Sequence, residues 1–182
     1  HDNGLKLFGP DGLKLSNTYL LEREFSWNGI LAEPAKIWHK ELTQNRKASI
    51  DTNCVWSESG KILKFNETID AELSTIQKFS KSDGHSIDRT NGRFYNTNSI
   101  SLIDLLKKYN APKNIDYLSI DTEGSEYQIL KNFDFNQFNI KVITCEHNYA
   151  NSRTDVYNLL RKNGYIRRYK ELSEFDDWYV RS

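Results

Sequence analysis

The chain has 182 residues, 37% of them hydrophobic, 13% aromatic and 27% charged, which describes one globular domain with enough chain to bury a core. Lys plus Arg and Asp plus Glu both total 25, so the formal charge is zero. That balance argues against a nucleic-acid binder, and no apolar stretch reaches the length of a membrane-spanning helix.

From the N-terminus, Leu5 to Phe8 reads as a short strand that turns at Gly9-Pro10-Asp11-Gly12. Ser16 is the expected cap of a helix running to about Glu24, with Tyr19, Leu20 and Phe25 on its apolar side. Ile30 to Glu33 forms a second strand. Pro34 opens a helix that carries Ile37, Trp38 and Leu42 at helical spacing up to Asn45. Ala48 to Trp56 reads as a third strand, and Ser59-Gly60 turns it into a hairpin partner, Lys61 to Phe65. Residues 66–98 are polar and punctuated by Asp83-Gly84 and Asn91-Gly92, apart from a short helix expected over Ala71 to Phe79. A long irregular segment inside a compact domain is usually functional or mobile, so 66–98 is expected to be a lid or acceptor-facing insertion.

Ser101 caps a helix, Leu102 to Tyr109, which Ala111-Pro112 ends. Ile115 to Ile120 then forms a strand that closes in Asp121-Thr122-Glu123-Gly124, followed by a helix from Ser125 to Asn132. Ile140 to Cys145 is a further core strand, and Thr154 to Lys162 is an amphipathic helix stopped at Asn163-Gly164. Tyr165 to Tyr169 and Trp178 to Val180 close the chain as two antiparallel strands, because a parallel return needs a longer crossover. Strands alternating with helices imply an α/β fold: a three-layer, doubly wound, mostly parallel sheet ending in an antiparallel pair. Trp27, Trp38, Trp56, Trp178 and Tyr179 read as core.

In such sheets ligands bind beyond the carboxyl ends of the strands. Four of these ends carry polar groups: the Gly9–Gly12 turn, Glu33, Asp51, and Asp121 with Glu123. Glu33 is placed to accept hydrogen bonds from both hydroxyls of a ribose. Thr122 and Glu123 also suit a helix N-terminus, but capping leaves Asp121 without a role. The last core strand ends in Glu146-His147-Asn148. His147 reads either as a general base or as a buried histidine satisfied by a backbone carbonyl; alternatively Asp121 and Glu146, with His147 nearby, can hold Mg²⁺ or Mn²⁺. The sequence has no phosphate-binding loop of P-loop type, no nicotinamide-type glycine pattern and no Gly-x-Ser-x-Gly elbow.

Cys54 and Cys145 sit in apolar runs and are expected to be buried free thiols of a cytoplasmic protein. The sequon Asn66-Glu67-Thr68 carries little weight in that setting, and the absence of methionine suggests a fragment or processed chain.

Three runs then acquire a common meaning: Leu15-Ser16-Asn17-Thr18-Tyr19-Leu20-Leu21-Glu22, Trp27-Asn28-Gly29-Ile30-Leu31-Ala32-Glu33-Pro34, and Asp116 to Glu126 with its Asp-Thr-Glu-Gly-Ser-Glu. With Ile50-Asp51, Cys54-Val55-Trp56-Ser57 and Glu146-His147-Asn148, the chain resembles the FkbM-type methyltransferases over nearly its whole length. The resemblance implies a seven-stranded sheet, its last two strands the antiparallel pair, in a single methyltransferase domain over 1–182 that uses S-adenosylmethionine to methylate a sugar, glycan or other small-molecule hydroxyl. It implies cofactor contacts at Gly9, Asp11, Gly12, Ser16 and Asn17 around the methionine part, Glu33 on the ribose and Asp51 near the adenine. Asp121 and Glu123 complete the expected cofactor site; His147, Asp121 and Glu146 are the expected catalytic residues. The sequence departs from the pattern at Leu7, where the family has an acid, and in a first turn one residue short. A catalytically degenerate, ligand-binding version of the same fold is the alternative expectation.

Overall fold

The computed structural model describes residues 16–182, and the backbone of 3–7. The first half of the chain runs β1 (Asn3–Leu7), α1 (Tyr19–Phe25), β2 (Asn28–Ala32), α2 (His39–Asn45), β3 (Ser49–Asp51), β4 (Cys54–Trp56), β5 (Ile62–Glu67) and β6 (Thr75–Ile76). The second half runs β7 (Arg93–Ser101), α3 (Leu102–Lys108), β8 (Asn114–Ile120), α4 (Glu126–Lys131), β9 (Asn139–Glu146), α5 (Ser152–Lys162), β10 (Tyr165–Arg168) and β11 (Asp176–Arg181).

The larger sheet has the order β10-β11-β9-β8-β1-β2-β3. Neighbours from β9 to β3 are parallel, whereas β11 runs antiparallel to both β9 and β10. The fold is thus α/β with mixed strand orientation. β8 lies between β1 and β9, and its Ile115, Leu118 and Ile120 are almost fully buried, as expected of a strand covered on both faces. They join Leu105 and Leu106 of α3, Leu130 of α4, Ile143 of β9 and Leu160 of α5 in the main core. Each such side chain contributes on the order of 1.5–3 kcal/mol by leaving water.

Local chemistry sets the helix ends. Ser101 Oγ accepts the Asp104 N–H at 3.1 Å, the expected cap of α3, and Leu102, Leu105 and Leu106 form its buried face. Both cysteines are free and buried. Among the described residues no helix is long and apolar enough to cross a membrane.

Several local expectations are corrected. Ala48–Trp56 is not one strand: Asp51 Oδ1 accepts both the N–H and the side-chain amide of Asn53 at 2.8 Å, a turn that separates β3 from β4. β4 leaves for a second, four-stranded sheet of order β4-β7-β5-β6. β5 therefore makes no hairpin with β4; it pairs antiparallel with β7 along Ile62↔Asn98 to Glu67↔Arg93. Residues 66–98, expected to be largely irregular, supply β6 and most of β7, and 71–79 forms two single-turn 3-10 helices flanking β6 in place of one helix. A smaller core of Ala35, Cys54, Phe65 and Ile76 packs against this sheet. Ser16 does not cap α1; its Oγ accepts from Arg46 Nη1 at 3.0 Å, and Leu20 and Phe25 stay exposed. Trp178 is also exposed, whereas Tyr179 is core.

Candidate active site

The chain leaves β8 through a tight turn. Glu126 Oε1, buried at the start of α4, accepts from Thr122 N–H at 3.0 Å, Thr122 Oγ1 at 2.8 Å and Gly124 N–H at 3.0 Å. The turn places Glu123 at φ 54 and Gly124 at φ 111. A Cβ on Gly124 would lie 2.8 Å from Ser82 Oγ and 3.2 Å from Phe79 Cβ, so glycine is required twice over. The left-handed Glu123 costs about 1–2 kcal/mol, offset by the contacts that hold it. Thr75 Oγ1 donates to its carbonyl at 2.9 Å, and Arg89 Nη2 donates to Oε2 at 2.7 Å. Arg89 is fully buried and also binds Asp83 Oδ1 and the Leu73 carbonyl, at 2.7 and 2.8 Å.

Beside this turn, β9 delivers Glu146. Its Oε2 accepts the Glu123 N–H at 3.3 Å, and its Oε1 accepts from Asn148 Nδ2 at 2.9 Å; Asn148 also reaches Glu123 Oε2 at 3.2 Å. One carboxylate oxygen from each of Asp121, Glu123 and Glu146 lies within 4.8 Å of the others. Three negative charges this close cannot coexist in a partly dry site. Burial, then Asp121, pushes Glu146 up to about 12 and Glu123 up to about 8, with Arg89 opposing the second shift. At neutral pH the cluster therefore holds protons unless a cation takes their place.

β2 brings in Glu33, 4% exposed. Its Oε1 accepts the Ala35 N–H at 2.7 Å and its carbonyl accepts from His39 Nε2 at 2.8 Å, which together fix the carboxylate at the strand end. Asn17 stands nearby, its amide donating to Ser119 Oγ of β8 at 3.1 Å. Asn17, Glu33, Asp121, Glu123 and Glu146 all line one cavity of about 430 Å³. Trp38, Asn148 and Phe175 line it too, and Ala71 to Ser74 with His85 form a wall from the second-sheet region.

The family model described as the methyltransferase FkbM domain matches residues 8–167 of this chain. The chain belongs to that family. No curated protein matches it significantly.

Within this FkbM methyltransferase domain, the expected site residues divide into groups. Asn17, Glu33, Asp121, Glu123 and Glu146 are brought together. Gly9, Asp11 and Gly12 lie outside the described residues. Ser16 is taken up by Arg46, and Asp51 by Lys108 Nζ at 2.7 Å and by Asn53; neither lines the cavity. His147 is a correction. It follows β9 but does not line the cavity, and both ring nitrogens are engaged: Nδ1 accepts the Tyr149 N–H at 3.1 Å, and Nε2 faces Ser173 Oγ at 3.2 Å. Burial, then the charge of Arg153, lowers its pKa. Its placement removes His147 from the expected metal set too, where Glu123 takes its place.

Sequence reasoning missed Trp38, His85, Arg89 and Asn148. Asn148 stood beside the Glu-His pair and could have been included. Trp38, which follows β2, was read as core only, whereas His85 and Arg89 lie between β6 and β7, on a segment whose approach to β8 depends on long-range pairing.

Proposed function

We propose that this FkbM-family domain transfers the methyl group of S-adenosylmethionine to a hydroxyl of a sugar, glycan or other small molecule. The observation that carries the reading is the convergence of Glu33 with Asp121, Glu123 and Glu146 on one cavity at the carboxyl ends of β2, β8 and β9. We read the larger sheet, with its antiparallel end, as the doubly wound sheet of a methyltransferase.

The residues fit the cofactor on chemical grounds. About 430 Å³ is the size of a small-molecule site, and an acidic floor complements a positively charged ligand. Glu33 would accept the ribose hydroxyls, with Asn17 towards the amino-acid part. When bound, S-adenosylmethionine supplies an electrophilic methyl carbon on a cationic sulfur. The protein's task is to align an acceptor oxygen with that carbon and to exclude water. Leu73, Trp38 and Phe175 provide apolar surface for the second purpose. Asp121, Glu123 and Glu146 offer the hard oxygen ligands that Mg²⁺ or Mn²⁺ would take, orienting an acceptor hydroxyl.

The test is transfer of radiolabelled methyl from S-adenosylmethionine to a panel of monosaccharides, oligosaccharides and small alcohols, with and without Mg²⁺. Label in a base-stable ether product supports O-methylation of a hydroxyl. Base-labile label would indicate a carboxylate acceptor, and cofactor binding with no transfer to any acceptor would favour the degenerate, ligand-binding alternative.

A further inference from the structure

With His147 committed elsewhere, the site needs another group to take the acceptor's proton. His39 is engaged as well, its Nε2 donating to the Glu33 carbonyl. His85 is the histidine found among the residues lining the cavity. Its Nδ1 lies 3.6 Å from Asp88 Oδ2, and its side chain is 40% exposed. A carboxylate beside Nδ1 favours the tautomer with the proton there, leaving Nε2 as a proton acceptor. Among the described residues Nε2 has no hydrogen-bond partner.

His85 is also held in place. Its N–H donates to Asp83 Oδ1 at 2.9 Å, and its carbonyl accepts the Arg89 N–H at 3.2 Å. The Arg89 side chain is locked onto Asp83 and Glu123. The His85 main chain is thereby tied, through Asp83 and one buried guanidinium, to the acidic cluster.

We propose that His85, oriented by Asp88, is the general base of the transfer; the inference rests on the methyl-transfer reading above. The acceptor oxygen forms the new bond to the methyl carbon while the sulfur–carbon bond breaks and its electron pair returns to sulfur. The hydroxyl proton passes to His85 Nε2. The imidazolium is stabilised by Asp88 and passes its proton to solvent through its exposed edge. The charged groups around it are Asp88 and Asp83 on its own segment. Glu72 shares its wall, and Asp121, Glu123, Glu146 and Asp176 line the same cavity.

Two measurements test this together. The first maps diethyl pyrocarbonate modification by mass spectrometry, with and without saturating S-adenosylhomocysteine. His85 should react in the free protein and be protected at least fivefold by the ligand. The second compares wild type, His85→Ala, His85→Gln and Asp88→Asn on whichever acceptor the panel yields. His85→Ala and His85→Gln should lose about 10²–10⁴ in turnover, with S-adenosylhomocysteine affinity by calorimetry within twofold of wild type. Asp88→Asn should lose less, again in turnover and not in ligand affinity. Ligand binding without protection of His85, or near-normal turnover in His85→Ala, overturns the base assignment alone. Failure of the wild type to bind S-adenosylhomocysteine at all overturns the methyl-transfer reading and the base assignment with it.

Discussion

Arg89 Nη2 lies 2.7 Å from Glu123 Oε2, with the guanidinium side chain 0% exposed and the carboxylate 8%. This pair fastens the second-sheet segment to the strand that ends in the acidic cluster. Arg89 also pairs with the buried Asp83 at 2.7 Å, and removing one partner of a buried pair typically costs about 3–5 kcal/mol, because the charge left behind is uncompensated. At about 2–4 °C per kcal/mol for a chain of this size, Arg89→Met should lower the melting temperature by roughly 6–20 °C. Adding Glu123→Gln should recover part of that loss. Equal melting of the single and double variants by calorimetry would deny the coupling.

The acidic cluster sets a pH dependence. Glu123 and Glu146 rise from the ordinary 4.5 to about 8 and about 12. The folded protein therefore keeps protons that the unfolded chain releases, and the stability these groups contribute is complete below about pH 4.5. It is lost progressively as pH rises through 8 for Glu123, and on towards 12 for Glu146. Thermal melts in chelator should fall between about pH 6 and 9. Mg²⁺ or Mn²⁺ should restore the high-pH loss, and melts indifferent to both ions would reject the cation site. Glu146→Gln keeps a neutral, hydrogen-bonding side chain and should raise stability in chelator at pH 8 by on the order of 1–3 kcal/mol. That variant should also lose the response to metal.

His147→Ala should behave as a structural change. It strips a partner from the Tyr149 N–H and from Ser173, each worth about 0.5–1.5 kcal/mol net. A lower melting temperature with turnover within about threefold of wild type, measured well below the transition, is expected. A loss of a hundredfold or more in turnover, with the fold intact, would return His147 to the chemistry.

The strand-end carboxylates were legible because their neighbours announce them. Ile115, Leu118 and Ile120 form a buried run, and the acids begin where it stops. Glu33 follows the buried Ile30–Ala32 stretch in the same way. His147 misled because adjacency in sequence was read as adjacency in space. Successive side chains on a strand point to opposite faces, so Glu146 at the end of β9 predicts that the next residue turns away from it. The backbone then bends through left-handed Asn148 and Tyr149. β7 was hidden for another reason. Arg93-Phe94-Tyr95-Asn96-Thr97-Asn98 is mostly exposed or half-buried and rich in asparagine, and it is a strand because β5 pairs with it. Arg89 and His85 inherit that invisibility, since their approach to β8 depends on a sheet that the sequence does not announce.

Glu33 carries the central claim, and calorimetric titration with S-adenosylmethionine tests it most directly. Charge-assisted hydrogen bonds to ribose hydroxyls are worth about 1.5–3 kcal/mol each, so losing them costs at least about tenfold in affinity. Wild type should bind with 1:1 stoichiometry, and Glu33→Ala should bind at least tenfold more weakly while melting cooperatively as a folded protein. Equal affinity in the two proteins, or no binding by the wild type, would contradict the account.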